Sequence, residues 1–66
     1  MNFGKAVLMG IGGKKMKRKD LALTLNITLS YVHDICNNNK QPSLNLLIEM
    51  AELFEVKLST FVSWGE

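Results

Sequence analysis

Apolar residues recur along the chain at three- and four-residue intervals and fall into five segments separated by polar or glycine-containing stretches. In the first, Phe3, Val7, Leu8 and Ile11 share a helical face and predict a helix over Asn2 to Gly13. Gly4, Gly10, Gly12 and Gly13 each cost roughly 0.5 to 1 kcal/mol relative to alanine in a helix interior, so this helix is expected to fray or end near Gly12. A short second helix follows from Arg18 to Leu25, with Leu21, Ala22 and Leu25 inward. Asn26 stands where the chain must turn sharply, because asparagine tolerates the left-handed conformation better than other non-glycine residues. Thr28 can then cap a third helix, Leu29 to Cys36, through its hydroxyl. Val32 and Ile35 of that helix are expected to pack on Leu21, Leu25 and Ile27, leaving Leu29, Ser30, His33, Asp34 and Asn37 on the other side.

The polar loop Asn37 to Gln41 permits positive φ, Pro42 stops the preceding structure, and Ser43 can cap a fourth helix, Leu44 to Phe54. Its core spacing is Leu44, Leu47, Ile48, Ala51 and Leu53 or Phe54. Val56 and Leu58 precede a last short helix near Ser59 to Val62. No pair of strands is predicted, so the fold class is all-α, and residues 17 to 43 form helix, tight turn, helix and polar loop. That arrangement points to DNA.

A chain of 66 residues buries only about 60% of its unfolded surface and makes one modest core, so a single domain over residues 1–66 is expected. The hydrophobic content of 47% and the lone proline are those of an ordinary globular chain rather than a disordered one. The single cysteine, Cys36, has no internal partner, which fits a reducing compartment such as the cytoplasm. The apolar run Ala6 to Met9 is too short for a membrane span or a signal-peptide core, so no membrane association is expected. The initial methionine favours a complete chain.

Net charge is only +2, but it is unevenly placed. Residues 1–40 carry Lys5, Lys14, Lys15, Lys17, Arg18, Lys19 and Lys40 against Asp20 and Asp34, a balance of +5. Residues 41–66 carry Lys57 against Glu49, Glu52, Glu55 and Glu66, a balance of −3. A basic half bearing the helix-turn-helix and an acidic half away from it suit phosphate binding, although a solvated charged face would look the same in the lysines alone.

Other chemistries find little support. The glycines before Lys14 invite a phosphate-loop reading, but that motif needs a glycine where Leu8 stands and a hydroxyl where Lys15 stands. His33 has no second histidine at helical spacing and Cys36 is expected to point inward, so neither a metal nor another cofactor is predicted. No nucleophile is paired with a base, and the chain is too short to enclose a substrate, so an enzyme is not expected.

The residues resemble the Cro and repressor-like helix-turn-helix proteins of the Xre type, common in phages and other mobile elements. The resemblance runs ungapped from Met16 to about Phe61. The family's leucine, capping threonine, glutamine, two polar residues and Leu-Ala correspond to Met16, Lys17, Arg18, Lys19, Asp20, Leu21 and Ala22. Its turn glycine is Asn26, its Tyr-Ile-Ser-x-Ile is Tyr31-Val32-His33-Asp34-Ile35, and its Pro-Ser-Leu is Pro42-Ser43-Leu44. The resemblance implies a compact five-helix, lambda-repressor-like DNA-binding domain with the helix-turn-helix at helices 2 and 3. Helix 3 would enter the major groove, usually in a two-fold dimer on a palindromic operator. Many members join helix 1 to the end of helix 3 by a buried Arg–Glu pair. Here those positions are Ile11 and Cys36, and an apolar contact is expected instead, which spares two charges their desolvation. Lys17 replaces the hydroxyl cap and leaves helix 2 poorly capped.

The resemblance carries base reading onto Arg18, Leu29, Ser30, His33 and Asp34. Arg18 would hold guanine bidentately or a phosphate, Leu29 would meet a thymine methyl, and Ser30 would serve a base or a phosphate. Asp34 would accept from a cytosine amino group or orient Arg18 or Lys40. Backbone contacts fall to Lys17, Lys19, Thr28, Tyr31, Asn37, Asn39 and Lys40, with a structural hydroxyl as the alternative for Tyr31.

A homodimer is expected through helix 5 and the tail, with Phe61, Val62 and Trp64 at the interface, although one of Phe61 and Val62 is also expected to close the core; the alternative for Trp64 is folding back on helix 1. The expected partner is double-stranded operator DNA, and the expected function is a small Cro-like repressor. The same fold could instead activate through contact of Glu49, Glu52 or Glu55 with RNA polymerase. A different class is an antitoxin or other module that uses the fold to hold a protein.

Overall fold

Side-chain caps and left-handed stops delimit the helices. The structure, a computed structural model, describes residues 2–66. These residues form α1 (Phe3–Lys14), α2 (Arg18–Leu25), α3 (Leu29–Cys36), α4 (Leu44–Leu53) and α5 (Leu58–Ser63), with no strand among them. The Asn2 carboxamide oxygen accepts from the Lys5 N–H at 2.8 Å, the Thr28 hydroxyl oxygen from Tyr31 N–H at 3.0 Å and the Ser43 hydroxyl oxygen from Leu46 N–H at 3.2 Å. Each satisfies one of the donors that a helix start leaves free.

Four residues take the left-handed conformation, Lys15, Asn26, Asn38 and Glu55, with φ between 55° and 60°. In each case the next residue's N–H reaches back to a carbonyl five positions earlier: Met16 to Ile11, Ile27 to Ala22, Asn39 to Asp34 and Val56 to Ala51, at 2.8–3.0 Å. One hydrogen-bonded stop thus closes α1, α2, α3 and α4, although none of the four residues is glycine. Only the two asparagines announce themselves in the sequence.

α2 and α3 take the predicted bounds, but α1 differs in two ways. It continues through Gly12 and Gly13 to Lys14, held by the Lys15 stop, and Leu8 is on its exposed side. The buried stripe is Gly4, Ala6, Val7, Gly10 and Ile11. Gly4 lies so close to α3 that a Cβ there would sit on the Cys36 carbonyl, 2.8 Å from its carbon. At Gly10 a Cβ would strike the Phe54 ring at 2.6–2.7 Å.

α4 also turns a different face inward from the one predicted. Leu46, Leu47, Met50 and Ala51 are buried, joined by Phe54 at its C-terminal cap, whereas Leu44 is 65% and Ile48 39% exposed. Asn45, Glu49 and Glu52 mark the outward face of this helix, and the apolar remainder is broad enough that Leu44 and Ile48 at its edges are left outside. Packing of Phe54 over Gly10 goes with the buried face.

The core gathers around Phe61, Leu21, Ile35, Met50, Val7 and Val32, all essentially inaccessible. Ile11 and Cys36 are both buried in it, where the resemblance had an ion pair. Phe61 is fully enclosed within its own chain, which corrects its assignment to a dimer interface: α5 is too short to close the core without it. Trp64 is half-buried and meets Phe61 edge-on, with centroids 5.9 Å apart, and Phe54 at 6.5 Å. The two ends of the chain meet where the Asn2 N–H donates to the Gly65 carbonyl at 2.9 Å.

Candidate nucleic-acid interface

α2, the Asn26 turn and α3 form one packed unit. Leu21 and Ala22 of α2 and Val32, Ile35 and Cys36 of α3 face the common core, with Leu25 and Ile27 half-buried against it. With those positions turned inward, the 100° step of the helix turns Ser30, His33, Asp34 and Asn37 outward. Ser30, His33 and Asn37 are exposed and Asp34 is half-exposed. Leu29 begins the helix 41% exposed, as its predicted place outside the core requires.

Two polar pairs organise this face. The Arg18 guanidinium donates to His33 Nδ1 at 3.1 Å, joining the first residue of α2 to the middle of α3. Asp34 Oδ2 lies 3.5 Å from Lys40 Nζ, and the same ammonium stands 5.7 Å from the centre of the Tyr31 ring. Of the partners considered for Asp34, the structure brings Lys40 to it. That ion pair offsets a carboxylate on a surface that would otherwise repel phosphate. The Cys36 thiol is pushed above its ordinary value by burial, which outweighs the opposing pull of the Arg18 charge.

The start of α2 is poorly capped, as expected. Lys17 has only donors to offer, and the one compensating bond is from its backbone N–H to Asp20 Oδ2 at 3.1 Å. Lys17 and Lys19 flank Arg18 with exposed side chains, and Thr28, Asn37, Asn39 and Lys40 are exposed around α3, with Tyr31 half-buried. The remaining lysines of the basic half are partly occupied elsewhere. Lys14 pairs with Glu55 at 3.2 Å, and the Lys5 ammonium donates to the Glu66 carbonyl at 3.1 Å.

Sequence reasoning missed the part played by Asn38. Its carboxamide oxygen accepts from the Gly4 N–H at 3.0 Å, and its amide nitrogen donates to the Asn2 side-chain oxygen at 2.8 Å. The C-terminal end of α3 is thereby clamped to the start of α1. The three consecutive asparagines, all exposed, give no local sign of which one bonds to α1. The Arg18–His33 pair was equally hidden, since no spacing rule links residues on two different helices.

Of two shallow apolar crevices, one borders the α2–α3 unit and the other lies between α1 and the C-terminal tail. The first, of about 220 Å³, is bordered by Lys19, Leu23, Asn26 and Leu29; the second, of about 350 Å³, by Met9, Lys14, Phe54 and Trp64. Among the described residues no cluster of histidine, cysteine or carboxylate side chains could hold a metal ion, and no helix is long and apolar enough to cross a membrane.

A capped two-helix unit with an outward polar face and flanking cations defines the class, a helix-turn-helix DNA-binding protein. The family model described as Helix-turn-helix matches residues 13–61, and the chain belongs to that family, in its Cro/C1-type form. The fold is accordingly lambda-repressor-like, and the protein is a DNA-binding helix-turn-helix regulator of a family that binds double-stranded DNA and is not an enzyme family. Searches of curated proteins and of solved structures returned no significant match.

Proposed function

We propose that the protein is a sequence-specific transcriptional repressor that occupies a palindromic operator as a dimer, with α3 in the major groove. The observation that carries this reading is the outward face of α3. Leu29, Ser30, His33 and Asp34, with Arg18 across from His33, offer a set of apolar, hydroxyl, imidazole, carboxylate and guanidinium groups toward base edges. Lys17, Lys19, Thr28, Tyr31, Asn37, Asn39 and Lys40 surround that face and serve as contacts to phosphate and sugar, which fix register without carrying sequence information. The single domain over residues 1–66 carries this site, and a reducing compartment such as the cytoplasm suits the free Cys36.

Dimerisation uses the exposed remainder of α5 and the tail, Val62 and the accessible edge of Trp64. Repression follows from occupancy of a promoter. Activation is the variant in which the exposed Glu49 and Glu52 meet RNA polymerase, Glu55 being engaged by Lys14. A second reading, that the fold holds a protein as an antitoxin does, is favoured by the crevice between Met9 and Trp64 and by Leu8 and Met9, exposed by 40% and 48% on α1.

Fluorescence anisotropy with labelled duplexes at several salt concentrations tests the proposal. Each phosphate neutralised contributes a slope of about −0.9 to the dependence of log K on log salt, so a site using five or six cations loses roughly three powers of ten in affinity from 50 to 200 mM salt. Arg18→Ala is expected to weaken binding. Equal affinity for all duplexes at moderate salt would sink the regulator reading in favour of the protein-binding one.

A further inference from the structure

We infer that His33 reads a base pair purely as a hydrogen-bond donor, through Nε2–H, and that Arg18 is the positioning residue that sets it in that state. The inference rests on the proposed major-groove docking of α3. Its starting point is the 3.1 Å contact between an Arg18 guanidinium nitrogen and His33 Nδ1. A guanidinium carries five N–H donors and no acceptor, so Nδ1 must present its lone pair to Arg18. A neutral imidazole with a bare Nδ1 carries its proton on Nε2.

The two ring nitrogens then have separate duties. Nδ1 is committed to α2, which holds the ring in one orientation, and Nε2 is the only polar atom left to meet DNA. His33 is exposed on the same face as Ser30 and Asn37, while Arg18 is half-buried and reaches α3 at the His33 ring. A donor at this position accepts guanine O6 or N7, adenine N7 or thymine O4 as partner. The cytosine amino group would set donor against donor. The choice for Arg18 between base and phosphate is narrowed as well. One of its nitrogens is already spent on the ring, so it acts on sequence through His33, and its other N–H groups remain for a phosphate.

His33 is the only histidine, so one imidazole contributes to the ring-nitrogen region of an NMR spectrum of the labelled protein. In DNA-free protein at neutral pH the expected spectrum is the Nε2–H tautomer with a hydrogen-bonded Nδ1. The Nδ1 resonance should move toward that of a free acceptor in Arg18→Ala. A proton on Nδ1, or an Nδ1 signal indifferent to Arg18→Ala, overturns the inference without touching the regulator reading.

The second arm measures affinity for duplexes carrying every base at every position of a selected site. Wild type is expected to disfavour cytosine facing His33 at one base pair per half-site by roughly 5- to 150-fold, the usual range for one mismatched pair. His33→Asn, which keeps a group at the Nδ1 position and loses the one at Nε2, should flatten that base pair alone. Arg18→Ala should weaken binding and flatten the same pair, and the double variant should lose no more discrimination there. An unchanged base profile in His33→Asn, or flattening at a different pair in Arg18→Ala, overturns the inference while specific binding stands. Absence of any preference in wild type overturns both the inference and the reading beneath it.

Discussion

Replacing Gly4 and Gly12 separately by alanine should change stability in opposite directions, although both lie in α1. The helix-propensity term favours alanine in each case, by about 0.5 to 1 kcal/mol. At Gly12 nothing lies within 4 Å of the added methyl, so that gain is realised, reduced somewhat by the proximity of the helix end. At Gly4 the methyl would sit on the Cys36 carbonyl and 3.0 Å from the Ile35 carbonyl oxygen. Backbone cannot rotate aside as a side chain can, so the cost belongs in the upper part of the roughly 1–3 kcal/mol range for overpacking. The net change is a loss of about 2 kcal/mol, aggravated if the Gly4–Asn38 hydrogen bond lengthens.

A stability change of 1 kcal/mol moves Tm by about 4–8 °C in a domain of this size, so Gly4→Ala should melt about 8–16 °C below wild type and Gly12→Ala about 2–4 °C above it. Thermal unfolding followed by circular dichroism reads both. A Gly4→Ala protein that melts at or above wild type would refute the close approach of α1 to the end of α3. The consequence reaches function, because that approach helps hold α3 at its angle. Gly4→Ala should therefore weaken DNA binding even at temperatures where it is fully folded.

Further predictions follow from the caps, stops and charges. Thr28→Ala should cost about 1 kcal/mol in urea unfolding through loss of the α3 cap, and equal stability would mean that the cap contributes nothing. Lys15→Gly should stabilise by up to about 1 kcal/mol, since it relieves a left-handed lysine, and a lower Tm would contradict the stop at the end of α1. Asp34→Asn should tighten non-specific DNA binding with little change in Tm, because the Lys40 pair is largely solvated; weaker non-specific binding would contradict the repulsion of phosphate assigned to its carboxylate. The pKa of Cys36 is raised in the folded state, so its contribution is full below the unfolded value of 9.0 and is lost as pH rises through the higher folded value. Wild type should accordingly lose stability above about pH 9 more steeply than Cys36→Ala, and parallel pH profiles would show that the thiol is not desolvated.

The helix-turn-helix was the most legible part of the sequence because its determinants are local. Thr28 caps α3 through a residue three positions on, Asn26 turns left-handed by its own nature, and the polar and apolar sides of α3 separate cleanly. The face of α4 was legible only through its polar positions: Asn45, Glu49 and Glu52 share the outward side, whereas the apolar residues alone span too wide an arc to choose between Leu44 and Leu46. The end of α1 was hidden because its stop is Lys15, a lysine in the left-handed conformation that carries no local signal, while Gly12 and Gly13 stand in open space and do not break the helix. Phe61 and Trp64 could not be sorted between core and surface from their spacing alone. The pairings that shape the candidate interface, Arg18 with His33 and Asn38 with Gly4 and Asn2, join residues far apart in the chain, and only the packed fold brings them together.

Selection of bound duplexes from random DNA, followed by sequencing, tests the central claim most directly. If α3 reads the major groove as part of a two-fold dimer, the enriched sequences will contain an inverted repeat with half-site centres about 10 base pairs, or roughly 34 Å, apart. The same selection with His33→Asn will relax one base pair in each half. A pool that remains random after repeated rounds, with wild-type protein folded and in excess, would contradict sequence-specific regulation.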